Sequence, residues 1–205
     1  MAQHSKSALS LNKALPSSPH AIQPYLQKGF LHPSISSTVS LFNTSTENLS
    51  TWPQLKQNTT NQILLYPGSF NPPHQGHLAT IRYFAERRDQ LGIVALFVFA
   101  DPDEVVRTKD KKWGDIVLPR DLRNTIFTKV PELSELLESE WLHLLEGDME
   151  SHIQALRITT DPTSEAGWDV KLVGFLGVTN CQKIVCHTCR LQISRLGVRW
   201  MSSDY

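Results

Sequence analysis

No apolar run in this chain is longer than the eight residues Ile93–Ala100, far short of the ~18 that a membrane helix needs. Neither sign of charge dominates. Twenty basic and 20 acidic residues cancel, so bulk charge gives no reason to expect a nucleic acid or an acidic membrane surface as partner. Cysteine is scarce: Cys181, Cys186 and Cys189 are the only three. An odd number confined to the last stretch makes no disulfide framework. The N-terminus also lacks an apolar block preceded by positive charge, the mark of a secretory signal. A cytoplasmic or nuclear protein is the expectation. The triplets Asn43-Thr44-Ser45, Asn48-Leu49-Ser50 and Asn58-Thr59-Thr60 then read as by-products of a Ser-, Thr- and Asn-rich segment rather than as glycosylation sites.

Scarcity also divides the chain. In residues 1–60 Glu47 is the only acid, and no Arg occurs before Arg82. About half of those residues are Ser, Thr, Asn, Gln or Pro. Such a segment buries too little apolar surface to offset the entropy of ordering it. A disordered or loosely structured extension is expected there, with one short helix near Ala8–Leu15. At the other end, residues 178–205 hold all three Cys, three Arg and a single acid, Asp204. They show no helical or strand period, and an aberrant or poorly structured tail is expected.

Residues 61–177 are different. Gln62–Tyr66 is a short apolar run that stops at Pro67-Gly68, as a buried strand does. Gly76–Gln90 has Leu78, Ile81 and Ala85 at helical spacing. Ile93–Ala100 is continuously apolar, as a strand covered on both faces must be. Pro119–Lys129 opens with Pro and Asp, which suit a first helical turn. Pro131–Glu138 suits another short helix, Trp141–Leu145 a third strand, Ser151–Ile158 a helix and Asp169–Leu176 a fourth strand. Strands alternating with helices predict an α/β domain. It should be a Rossmann-like parallel sheet with helices on both faces, incomplete at its C-terminal end.

The chemistry is concentrated after the first strand, in Gly68-Ser69-Phe70-Asn71-Pro72-Pro73-His74-Gln75-Gly76-His77. Ligands of open parallel sheets bind beyond the carboxyl ends of the strands. Gly68 lets the backbone approach a phosphate closely. The helix starting near Gly76 presents its amides and dipole to the same place. His74 and His77, three residues apart, share one side of the helix entry, where imidazoles can donate to phosphate oxygens. Trp113 is placed either to stack on a base or to cover the end of the sheet. Asp148 either faces the site or caps a helix.

This ten-residue motif, with a strand before it and a helix after it, resembles the adenylyl- and cytidylyltransferase superfamily, whose mark is [HT]-x-G-H. The S-F-N-P extension is most similar to the nicotinamide and nicotinate mononucleotide adenylyltransferases, over residues 61–177. The resemblance implies a sheet in the strand order 3-2-1-4 and transfer of AMP from ATP, with Mg2+, to a mononucleotide phosphate. NAD would form, pyrophosphate would leave, and no covalent intermediate would be made. It implies that His74 and His77 stabilise charge on the phosphates. Gly68, Ser69, Phe70, Asn71 and Gly76 would form the nucleotide loop. Lys112, in the loop after strand two, and Arg120, which opens the next helix, would meet phosphate, with the neighbouring Lys109 and Lys111 weaker candidates. A sister enzyme using CTP or phosphopantetheine, and an inactive homologue that only binds nucleotide phosphate, are the alternatives.

The chain departs from the family pattern after the fourth strand. Gly174-Phe175-Leu176-Gly177-Val178-Thr179 lacks the Asp of the expected G-x-D. The expected I-S-S-T-x-[IV]-R is matched only by decoys. Ser34–Ser40 lies before the first strand and has no Arg, and Ile193–Arg199 lacks the second Ser and the Thr. Codon degeneracy allows residues 178–205, read one base out of register, to begin G-D-K-L after Gly177, which restores a G-x-D. A frame change near Gly177 is therefore the expectation for the tail. Cys186-His187-Thr188-Cys189 supplies three donors where structural zinc wants four, so no metal site is expected.

Overall fold

Eight consecutive apolar side chains leave a strand no face to turn to water, so Ile93–Ala100 has to be covered twice. The computed structural model, which describes residues 20–35, 52–109 and 116–175, does this with helices on both sides of a four-stranded sheet. In chain order the elements are α1 (Gln23–Phe30), β1 (Asn61–Gly68), α2 (Gln75–Glu86), α3 (Arg88–Leu91), β2 (Ile93–Ala100), α4 (Asp103–Lys109) and α5 (Arg120–Thr128). A 3-10 turn at Pro131–Leu133 then leads into α6 (Ser134–Glu138), β3 (Leu142–Leu145), α7 (Met149–Glu165) and β4 (Val170–Gly174). All strand pairs are parallel, as the alternation predicts, and the order is β3-β2-β1-β4, the one the family resemblance implies. The chain moves outward from β1 through β2 to β3 and then returns to β1's other side. The sheet's switch point therefore lies between β1 and β4, directly below the loop that follows β1.

Alternation along β1 sorts its side chains. Ile63 and Leu65 enter one apolar cluster; Leu64 and Tyr66 enter the other. β2 keeps the same phase from Ala95 onward, with Phe97 and Phe99 on one side and Leu96 and Val98 on the other. Before that, the pairing jumps from Gln62–Ile93 to Ile63–Ala95, leaving Val94 as the extra residue of a bulge.

The first cluster corrects the expectation for residues 1–60. Ile22, Leu26 and Phe30 fall four residues apart and are all buried. α1 lays this stripe against α7 and the sheet. The helices cross closely at Gly29, where a Cβ would stand 2.2 Å from the Thr159 hydroxyl and 2.4 Å from the Ala155 carbonyl. Ala21 bridges Gln54, and Trp52 and Leu55 complete the cover, with Trp52 stacked on His143 at 5.7 Å. Residues 20–35 and 52–60 are thus part of the domain, not a loose extension. Average composition conceals this, because three apolar residues in register weigh little among so many polar ones. The helix expected at Ala8–Leu15 lies outside the described residues, as does the tail from Leu176 onward.

Other differences are local. The helix expected through Gln90 stops at Glu86 and resumes as α3. Gly92 ends it at φ +67, where a Cβ would meet the Thr60 carbonyl at 2.5 Å. α7 runs well past Ile158, to Glu165. α4 is an element the apolar pattern does not announce, but Asp103 and Glu104 in its first turn and Arg107 and Lys109 in its last suit the helix dipole. No helix among the described residues is long and apolar enough to cross a membrane.

Candidate functional site

The loop between β1 and α2 closes on itself through its histidines. His74 stands at the N-cap of α2 in extended conformation, and its Nδ1 accepts from the Gly76 amide at 3.1 Å. In return the His74 amide donates to Nδ1 of His77 at 3.2 Å. This reciprocal cap satisfies amides that a helix start otherwise leaves open. It also settles the tautomers. A backbone N–H can only donate, so both Nδ1 atoms are acceptors, and in the neutral rings the proton resides on Nε2. The rings stack at 3.7 Å with 24° between their planes, leaving two parallel Nε2–H donors with no acceptor among the described residues. Burial first, and the neighbouring His74 second, hold His77 well below the usual imidazole range, at about 4. His77 is therefore neutral at physiological pH. Gly76 is required by this packing, because a Cβ there would sit 3.0 Å from the His74 ring.

The rest of the motif divides between site and core. Phe70 is buried. Its ring meets Tyr66, His77 and Phe127 edge-on at 5.3, 4.8 and 5.2 Å. It leaves only backbone to face a ligand. The missing side chain of Gly68 makes room for this ring, since a Cβ would be 2.9 Å from Phe70 Cζ. That is a different use of the glycine from the phosphate approach expected of it. The Ser69 hydroxyl donates to Asp101 at 3.0 Å. Asn71 joins the loop to the segment before α5. Its amide group donates to the Ile116 carbonyl at 3.1 Å and accepts from the Leu118 amide at 2.9 Å. The Asn71–Pro72 peptide is cis.

Beyond β2, Asp101 is the meeting point. It takes the Ser69 hydroxyl on the same oxygen that pairs with Lys109 Nζ at 2.7 Å. Lys109 thus stands beside the loop, whereas Lys111, Lys112 and Trp113 lie outside the described residues. Arg120 is half-buried over the Phe99 ring at 4.6 Å. It donates through Nε to the Ala100 carbonyl at 2.7 Å and through Nη1 to the Gly147 carbonyl at 2.5 Å. Its Nη2 has no partner among the described residues. Burial and the nearby Arg123 lower its pKa, against the pull of Asp101, Asp103 and Glu146. Arg120 belongs to the rim formed by β2 and β3 and makes no bond to the motif itself. Asp148 accepts from the Ser151 and Glu150 amides at 2.8 and 3.3 Å, the helix-cap role of its two readings.

Arg123, one turn further along α5, is the residue that sequence reasoning missed. It is fully buried and hydrogen-bonded to Ser69, Asp101, Asp103 and Leu118. Asp101 was also unassigned, although an acid immediately after a central parallel strand stands where ligands of this architecture bind. For Arg123 the only sequence signal is an Arg one turn into a helix, on the side turned to the core.

Among the described residues no group of three or more His, Cys, Asp or Glu could hold a metal. The Cys186–Cys189 segment is outside them. A groove of about 270 Å3, lined in part by Lys56, Arg88 and Trp141, lies at the amino ends of β2 and β3 and contains no motif residue. No protein-family model matches the chain, and no curated protein matches it.

Proposed function

We propose that the chain is a nucleotidyltransferase of the nicotinamide-nucleotide adenylyltransferase kind. In this reaction a phosphate oxygen of the mononucleotide attacks the α-phosphorus of ATP. The bond from that phosphorus to the bridging β-phosphate oxygen breaks, and NAD and pyrophosphate are the products. The attacking phosphate is already ionised at neutral pH, so the protein supplies position and charge stabilisation rather than a strong base. The observation that carries the reading is the stacked His74–His77 pair, two imidazoles whose Nε2 atoms meet no partner among the described residues, at the start of α2 and beside the switch point. Such donors suit non-bridging oxygens whose charge grows as pyrophosphate departs. Lys109 and Arg120 bring positive charge to the rim, and Lys112 and Trp113 remain candidates from the sequence.

Mg2+ fits this site as part of the substrate. Mg2+ normally keeps water and phosphate ligands with one or two carboxylates, and Asp101 and Asp103 are the carboxylates at hand. Bound to ATP it would neutralise phosphate charge.

The test is incubation with ATP, Mg2+ and nicotinamide mononucleotide, reading NAD and pyrophosphate. Absence of both from a folded protein overturns the reading. A second reading, a homologue that only binds nucleotide phosphate, is favoured by β4. Val170-Lys171-Leu172-Val173-Gly174-Phe175 brings no carboxylate to the switch point. ATP binding without product supports that reading, and product only with CTP or phosphopantetheine supports a sister transferase.

A further inference from the structure

A guanidinium removed entirely from water is costly unless its donors are matched. Arg123 meets that condition with acceptors from four places. Nε donates to the Leu118 carbonyl at 2.9 Å. Nη2 donates to the Asp101 carbonyl at 2.7 Å and to the Asp103 carboxylate at 2.6 Å. Nη1 donates to the Ser69 carbonyl. Four of its five N–H bonds are used, and three of the four acceptors are backbone carbonyls. These come from the loop after β1, the end of β2 and the segment before α5. They are the three backbone stretches that also meet through Ser69–Asp101 and Asn71–Leu118.

The bond to Ser69 has a specific consequence. A trans peptide is planar, and its C=O and N–H point in opposite directions. With the Ser69 carbonyl turned to Arg123, the Phe70 N–H points away from it, and no described residue accepts from that N–H. Phe70 lies at φ +48, a left-handed conformation that a bulky residue rarely adopts unless its surroundings impose it. Rotating the peptide the other way would aim a carbonyl oxygen, rather than an amide, at any anion in the loop.

We infer that Arg123 is a positioning residue that locks the Ser69–Phe70 peptide with its amide outward, making the loop a donor to anions rather than a repellent. It touches no ligand. The inference rests on the phosphate-loop reading above, and its test separates the two.

Arg123→Lys keeps one positive charge but cannot reach four acceptors in a plane. Three readouts are taken on wild type and variant: affinity for MgATP and for inorganic pyrophosphate by calorimetry, amide hydrogen exchange residue by residue, and the melting temperature. The lock predicts at least a tenfold loss of affinity for both anions. It also predicts at least tenfold faster exchange at Ser69–Asn71, while the amides of α7 and of β4 change less than twofold. Affinity within twofold of wild type together with unchanged loop exchange overturns the inference. So does acceleration spread evenly over the sheet and α7, which is what a merely structural Arg would give. If wild type binds neither anion, the phosphate-loop reading fails, and the local exchange pattern still decides whether Arg123 locks the peptide. If Arg123→Lys does not fold, Asp103→Asn takes its place. That side chain is one-quarter exposed and is the only charged partner of Arg123 among the described residues. The same local pattern is expected at smaller amplitude, and its absence overturns the lock.

Discussion

On one side of the sheet, Leu64, Tyr66, Leu96 and Val98 meet Phe70, Ile81, Phe84 and Phe127. On the other, Ile63, Leu65, Ala95 and Phe97 meet Ile22, Leu26, Trp52 and Leu156. The first face is built around the motif, with Phe70 as a core residue and His77 packed against its ring. Site and stability share side chains there. The second face holds no motif residue. It is closed by a helix and a Trp that precede β1 in sequence, and it reaches the site's rim through Phe99, over whose ring Arg120 lies, and through the β3–α7 loop. That loop is held by Arg120 on Gly147 and by His152 on Glu146. Substitutions on the α1 face should therefore change stability without changing chemistry. Those at the start of α2 should do the reverse.

The largest expected effect breaks the comparison from the stability side. Leu26→Ala removes a fully buried side chain from the α1 face and should cost about 2–5 kcal/mol in chemical denaturation. MgATP affinity, measured where the variant is still folded, should stay within twofold. A matching loss of affinity would mean that the two faces are coupled.

Next comes the opposite case. His77→Ala should lower turnover by about a hundredfold or more, roughly 3 kcal/mol of barrier, the range for losing one charge-stabilising donor. The melting temperature should move by only a few degrees, because the ring is partly exposed. Near-normal turnover would sink the assignment of the pair.

Acid sharpens the comparison, because both faces carry depressed histidines, His77 on the first and His143 and His152 on the second. Burial pushes His143 down to about 4, against the hydrogen bond that its ring donates to the Glu140 backbone, and burial with His74 does the same to His77. A folded-state pKa below the unfolded value of 6.5 means that the unfolded chain takes up protons first. The stability these rings contribute is complete above about pH 6.5 and is lost as pH falls towards 4. His143 is fully buried between Trp52 and Phe97, so its share should exceed that of His77, which solvent screens. Denaturation midpoints between pH 7.5 and 4.5 should fall less steeply for His143→Phe than for wild type. An unchanged slope would show that His143 does not titrate with unfolding.

The smallest effect belongs to neither face. Arg87 lies over the Tyr83 ring at 4.2 Å on the exposed end of α2. Arg87→Ala should cost under ~1 kcal/mol, measurable as a small shift of denaturation midpoint with no change in affinity or acid slope.

Some of this molecule was legible locally. The eight-residue run of β2 admits hardly any other reading than a strand covered twice. The parallel sheet followed from alternating periods, its strand order from the family resemblance, and the ten residues Gly68–His77 marked the loop. α1 was not legible, because its stripe is three residues diluted in a polar segment, and what makes it fold is the sheet face it covers. The packing role of Gly68 was hidden for a similar reason. The ring that fills its vacant side belongs to Phe70, two residues on, and the fold of the loop brings it back.

Sequence alone therefore determined the α/β class and the position of the loop after β1. These depend on neighbouring residues, through period, capping and turn chemistry. Tertiary structure decided what holds the loop. The carbonyls that Arg123 grips lie 5, 22 and 54 residues away along the chain, and no local pattern encodes contacts at such separations. The same holds for the tautomers of His74 and His77. Their spacing was visible in sequence, but the direction of their protons is set by amides whose positions exist only once the helix has started.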